Sequence, residues 1–215
     1  MKKYPGFLVT FEGGDGSGKS THVDLLKNYL SSQGIPFTPV REPGGTGYAE
    51  AVRALLKNPL FKDKSDLSEL LLIESGRADI VEKTIIPRLK AGDVVVMDRF
   101  YDSTVAYQSY GRGIDREIVD VANKLAVRNL VPDLTFYMRI DPRLAFERKG
   151  GQDNDPFELE GLKFQERVVD GFDTLSKENP KRYVVIDTTL DVQTVFTQIT
   201  HAFEMRYRKT HELTK

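Results

Sequence analysis

The stretch Gly13-Gly14-Asp15-Gly16-Ser17-Gly18-Lys19-Ser20-Thr21 gathers the residue types that hold a polyphosphate. Glycines let backbone N–H groups turn toward one point, and a helix starting there adds the positive end of its dipole. Lys19 would reach the β- and γ-phosphates of a nucleotide, and the Ser20 hydroxyl would hold Mg²⁺. A glycine-rich turn without a ligand is the competing reading, and the flanks weigh against it. Phe7-Leu8-Val9-Thr10-Phe11 is an apolar run before the loop, and Val23, Leu26 and Leu30 recur at helical spacing after it. That is the strand-loop-helix setting the motif requires.

Asp15 is out of place for phosphate binding alone, because its charge opposes the phosphates that the loop amides would gather. Its carboxylate should face a second ligand, as acceptor for a sugar hydroxyl, or else be a solvated turn aspartate. Val94-Val95-Val96-Met97-Asp98 is an apolar run ending in an acid, the pattern of a strand buried on both faces. Asp98 can orient Mg²⁺ through its water shell, or cap a helix; Arg99 follows immediately. Arg41, ending another short strand, is a candidate anion contact, with Pro43-Gly44-Gly45 as plain turn punctuation the alternative. Residues 100–113 are dense in hydroxyl, amide and aromatic groups that could line a pocket for a flat, hydrogen-bonding ring. Arg53 and Arg77 lie on helical patterns where each, taken alone, reads as a solvated charge.

These residues need a scaffold, and the periodicity supplies one. Strands are expected at 7–11, 37–40, 94–98, 134–140 and 182–186. Between and after them come helical patterns at 50–57, 65–77, 80–89, 115–129, 141–149, 158–175 and 192–208, besides the helix after the phosphate loop, which Gly34 should stop. Val52, Leu55 and Leu56 share one helical face; Leu67, Leu70 and Leu71 share another. Ile118, Val121, Ala122 and Leu125 form a stripe for the core or a subunit interface. Residues 150–156 carry no apolar anchor, so a mobile lid is expected over about residues 148–157. Alternating strands and helices imply an α/β fold: a doubly wound, mostly parallel five-stranded sheet with helices on both faces.

The chain has 215 residues, which suits a single domain over 1–215. Hydrophobic residues at 40% and charged residues at 29% are ordinary for a soluble globular protein. Lys plus Arg number 31 against 32 Asp plus Glu, so no global basic field favours a nucleic acid and any phosphate site must be local. Without cysteine there is no disulfide, thiolate zinc site or cysteine nucleophile, and three scattered histidines offer no metal cluster. The apolar run near the N-terminus is shorter than a signal-peptide core and nothing approaches a membrane span, which leaves the cytoplasm as the expected location.

FEGGDGSGKST around the phosphate loop, REPGGT at 41–46, DRFYDSTVAYQSYGRG at 98–113 and FQER at 164–167 carry a resemblance to thymidylate kinase over nearly the whole chain. The resemblance implies a P-loop kinase fold, transfer of the γ-phosphate of ATP to dTMP with Mg²⁺, and a homodimer. It implies that Lys19 and Ser20 bind ATP and metal, that Asp15 accepts from the substrate 3′-hydroxyl, and that Arg41 and Arg99 hold the monophosphate. Arg53 and Arg77 match positions near the sugar-phosphate and the thymine edge. Ser103, Thr104 and Gln108 match the base-contacting wall, Tyr107 the region that excludes a ribose 2′-hydroxyl, and Arg148 the arginine that stacks on adenine, with 187–189 closing the other side of that ring. Lys19, Asp98, Arg99 and Arg148 would form the catalytic set.

Two positions depart from the family pattern. The phosphate loop has no basic residue before Lys19, as in the bacterial branch, where the lid supplies arginines; this lid offers only Arg148 and Lys149, and Pro156 stands where the usual lid-end arginine falls. Ile73 stands where a phenylalanine usually stacks on thymine, an interaction worth about 1 to 3 kcal/mol. Ile73 favours a related deoxynucleoside monophosphate kinase with altered base preference, which the intact DRFYDSTVAYQ stretch disfavours. The sparse lid favours a nucleotide-binding regulator without catalysis, against which Lys19, Ser20, Asp98 and Arg99 stand together.

Overall fold

A computed structural model describes residues 4–148 and 161–212. Strand β1 (Phe7–Glu12) runs into the glycine loop and helix α1 (Lys19–Ser32), then β2 (Phe37–Arg41), α2 (Gly47–Lys57) and α3 (Asp66–Ile80). A π-helical turn, Val81–Ile85, joins α3 to α4 (Ile86–Ala91), and β3 (Val94–Asp98) follows. After β3 comes the short α5 (Tyr101–Thr104), which passes into a second π-helical segment, Val105–Gly111, and then α6 (Arg116–Val127). The chain continues through β4 (Leu134–Arg139), α7 (Pro142–Arg148), α8 (Gly161–Glu178), β5 (Tyr183–Asp187) and α9 (Val192–Glu212). The expected lid lies, from Lys149 onward and including Pro156, outside the described residues.

The five strands form one sheet in the order β2-β3-β1-β4-β5, and every neighbouring pair is parallel. Side chains alternate across a strand, so Phe7, Val9 and Phe11 enter one face while Leu8, Thr10 and Glu12 enter the other. The first face is covered by Val23, Leu26 and Leu30 of α1 and Val195, Ile199 and Phe203 of α9. On the second face Leu8, Val95 and Met97 meet Ile80, Ile85 and Leu89, while Tyr137 and Tyr183 meet Phe172 and Val168 of α8. A fully buried Val, Leu or Phe stabilises by roughly 1.5 to 3 kcal/mol, so both layers are held by apolar burial.

The second face also buries polar groups. Thr10 Oγ1 donates to Thr135 Oγ1 at 2.9 Å, Thr135 Oγ1 accepts from Arg182 Nη1 at 2.7 Å, and Arg182 pairs with Asp102 through contacts of 2.6 and 2.8 Å. This network ties α5 to β1 and β4.

The helical stripes are only partly covered by the rest of the chain. Leu70 is buried, but Leu67 and Leu71 are 50% and 56% exposed, and Leu55 also faces outward. On α6, Ile118, Val121 and Leu125 are exposed at 50%, 59% and 76%, so the stripe is not core; Val119, Asn123 and Ala126 face inward instead. No helix among the described residues is long and apolar enough to cross a membrane.

Candidate active site

In a parallel sheet the carboxyl ends of adjacent strands deliver their last residues to one edge. Asp98 is in register with Phe11 on one side and with Arg41 on the other. Glu12, Arg41 and Asp98 therefore end three adjacent strands beside the glycine loop.

The loop conformation depends on its glycines at two points. Gly13 has φ 141° and a Cβ there would lie 2.5 Å from the Met138 carbonyl oxygen; Gly16 has φ 76° and would meet the Ala145 carbonyl oxygen at 2.7 Å. No other residue fits these conformations and approaches. Lys19 Nζ, at the start of α1, donates to the carbonyls of Gly13 and Gly14 at 3.1 and 2.6 Å and to Ser17 Oγ at 3.2 Å. Burial, reinforced by the Arg99 charge, lowers the Lys19 ammonium to about 8. Ser20 Oγ donates to Asp98 Oδ2 at 2.9 Å, which sets two hard oxygen donors side by side at the loop mouth. Mg²⁺ takes oxygen ligands and keeps several waters, so this pair suits it as protein anchors. Among the described residues no group of three or more His, Cys, Asp or Glu could hold a metal alone.

Arg99 is the hub of the second half of the site. It adopts φ 68°, uncommon for a side-chain-bearing residue, and its guanidinium donates to Gly13 O at 2.8 Å, Ser103 Oγ at 3.1 Å and Tyr107 Oη at 3.1 Å. It also pairs with Asp15. The loop aspartate is thus held toward the residue that follows β3.

A cavity of about 460 Å³ joins these parts, within the range of small-molecule sites. Asp15, Gly16, Gly18, Lys19, Ser20 and Thr21 line one wall. Asp98, Arg99 and Arg41, at or beside strand ends, also line it, as do Arg53, Ile73, Arg77, Ser103, Thr104, Tyr107 and Gln108. Gly13, Gly14 and Ser17 stay in the loop behind that wall, Ser17 fully buried. Arg148 is exposed at the end of α7 and not in the cavity; it lies near Asp187, where two Thr189 hydrogen bonds, then the charges of Arg139 and Arg148, hold the carboxyl below its ordinary value.

Individual side chains differ in how free they are. Arg41 is exposed and pairs with Glu50, which also accepts from Gly45 N at 2.9 Å. Arg53 Nη1 donates to Pro43 O at 2.8 Å. Arg77 is not a solvated helix charge: it is 3% exposed, with Nε on Glu42 Oε2 at 2.7 Å and Nη1 on Thr104 Oγ1 at 2.7 Å and Asn123 Oδ1 at 3.0 Å, besides a contact to Glu74. Thr104 Oγ1 also donates to Glu74 Oε1 at 3.2 Å, so its hydroxyl is engaged within the wall.

Sequence reasoning missed Glu12, Glu42 and Glu74. Glu12 accepts from Phe100 N at 2.8 Å and Ser103 Oγ at 2.6 Å, holding the segment after Arg99 against β1. The signal was an acid ending an apolar strand, the same pattern that singled out Asp98. Burial, then the charge of Asp102, pushes the Glu12 carboxyl up from 4.5 to about 8. Between those values the folded chain keeps a proton that the unfolded chain has released. The stability so gained is full below 4.5 and is lost as pH rises through about 8. Glu12→Gln should flatten that decline in urea midpoints taken from about pH 5 to about pH 8.5; an unchanged slope would place the titrating proton elsewhere.

A phosphate loop between β1 and α1, with a serine and aspartate at its mouth and arginines, hydroxyls and an amide lining the same cavity, defines a P-loop kinase fold. The thymidylate kinase family model matches residues 11–199. Thymidylate kinase of Prosthecochloris aestuarii is 40% identical over 209 residues, covering 93% of each chain, and that of Fervidobacterium nodosum is 42% identical over 196 residues, covering 91% of this chain and 98% of its own. The crystal structure of thymidylate kinase from Ehrlichia chaffeensis superposes with a TM-score of 0.74 at 37% identity, covering 92% of this chain and 98% of that one. The chain belongs to the thymidylate kinase family.

Proposed function

We propose that the protein transfers the γ-phosphate of ATP to dTMP, giving ADP and dTDP. The observation that carries this is one shared cavity lined by Lys19, Ser20 and Asp15 together with Arg99 and Gln108. A phosphate oxygen of dTMP attacks the γ-phosphorus as the bond to the ADP oxygen breaks, so the chain has to align two anions and offset their charge. Lys19 and the loop amides hold the donor phosphates, Arg99 and Arg41 hold the acceptor phosphate, and Asp15 accepts from the sugar 3′-hydroxyl. Gln108, Arg77 and Ile73 border the base, with Tyr107 beside the sugar, while Arg148 and 187–189 flank the adenine. Ser20 and Asp98 would hold Mg²⁺, whose charge offsets that of the transferring phosphoryl group. Such a reaction draws on the nucleotide pool of the cytoplasm.

ADP release with Mg-ATP against dTMP, dUMP, dCMP, dGMP and dAMP tests the reading. Strong preference for dTMP, abolished by chelating Mg²⁺, is the expected result. A flat or shifted profile would show that Ile73 has changed base selection, and no turnover with any acceptor would leave a nucleotide-binding role alone.

The exposed apolar side chains of α3 and α6 support a homodimer. These two helices pack together, and Leu67, Leu71, Ile118, Val121 and Leu125 leave apolar surface that a second copy would cover. Leu125→Glu should shift the sedimenting species from dimer to monomer. A wild-type chain sedimenting as a monomer at micromolar concentration would end this assignment.

A further inference from the structure

Gln108 is only 2% exposed, yet it borders the cavity. What an amide offers a ligand depends on which way round it sits, because its oxygen only accepts and its nitrogen only donates. Here a neighbour decides. Gln108 Nε2 donates to Glu69 Oε1 at 3.1 Å, and a carboxylate only accepts, so the reversed amide would set oxygen against oxygen. Glu69 is itself pinned: Arg112 Nε donates to the same oxygen at 2.9 Å and Arg112 Nη2 to Oε2 at 3.3 Å, while Lys64 Nζ lies 3.6 Å from Oε2. The Arg112 guanidinium lies 5.7 Å from the centre of the Phe164 ring, which ties the cluster to α8. Glu69 is 2% exposed on α3 and does not itself border the cavity.

We propose that Glu69 is a positioning residue for base selection: by fixing the Gln108 amide it leaves the amide oxygen as the acceptor for the ring N–H of a thymine-type base. The inference rests on the dTMP reading above. Thymine carries an N–H between its two carbonyls, whereas cytosine has at the same ring position a bare nitrogen that accepts. An acceptor oxygen matches the first and opposes the second, and the reversed amide would do the opposite. Glu69 touches no substrate, but it sets which pattern Gln108 presents.

Glu69→Gln replaces the acceptor-only partner with an amide, so that Gln108 can pair in either orientation. The ratio of kcat/KM for dTMP to that for dCMP should then fall ~10-fold or more. Glu69→Asp keeps a carboxylate for Arg112 but draws it back from Gln108 by one methylene, and the same ratio should fall by about 3-fold, a fraction of one hydrogen bond. If Glu69→Gln does not fold, Glu69→Asp decides by that ratio. Both substrates slowed equally, with the ratio unchanged, would mean that Glu69 only packs Arg112, and would overturn the inference alone. A wild-type enzyme without dTMP preference would overturn the substrate reading and this inference with it.

Discussion

Lys19→Ala is expected to lower kcat by about 10³-fold or more while leaving the chain at least as stable as the wild type. The rate loss follows from position: Nζ sits in the glycine loop among the carbonyls of Gly13 and Gly14 and Ser17 Oγ, at the start of α1. In the proposed reaction a cation held there would stabilise the charge that develops on the transferring phosphoryl group. The stability claim follows from linkage. Burial, then the Arg99 charge, brings the folded-state ammonium down from 10.5 to about 8, so between those values the unfolded chain binds more protons and stability rises with pH. Below about 8 the buried charge is a cost of folding, and its removal offsets the lost hydrogen bonds. Single-turnover kinetics and urea unfolding at neutral pH check both halves. Near wild-type kcat would remove the loop lysine from the mechanism, and a markedly lower urea midpoint would make its role structural.

The strands and the loop were legible because local pattern determines them. Val94 to Asp98 reads as a doubly buried strand from its apolar run alone, and β3 spans those same residues. Which side a helical stripe faces was not legible. Spacing places Ile118, Val121 and Leu125 on one face, yet says nothing of whether this chain or another surface covers it, and here the rest of the domain does not. The π-helical turns at Val81–Ile85 and Val105–Gly111 likewise have no local signature, although the second brings Tyr107 and Gln108 to the cavity.

The chemistry of single residues divides the same way. Lys19, Ser20 and Asp98 could be placed from the sequence because a loop and a strand end fix their surroundings. Glu69 and Arg77 acquire theirs from partners far along the chain: Gln108 and Arg112 for the first, Glu42, Thr104 and Asn123 for the second. Charged residues on a helix read as solvated until the tertiary fold closes over them. Two acids beside one buried arginine then become a question of stability as well as of binding.

Arg77→Met should cost about 3 to 5 kcal/mol of stability, because it keeps the side-chain volume but strands two buried carboxylates. Glu42 and Glu74 are 8% and 6% exposed, and Glu42 Oε1 and Glu74 Oε2 already have no hydrogen-bond partner among the described residues. Burial raises the Glu42 carboxyl, and Arg77 is the charge that holds it back. Without Arg77 it rises further, and a carboxyl raised in the folded state contributes stability at low pH that is lost as pH climbs through its folded value. The deficit of the variant should therefore be smallest in mild acid and should grow toward alkaline pH. Urea midpoints at about pH 5 and about pH 8 measure this, and Arg77→Met combined with Glu42→Gln and Glu74→Gln should recover most of the loss, since neutral amides need no cation. A deficit below about 1 kcal/mol, or one that neither pH nor the added amides alter, would show that the carboxylates are not held by Arg77.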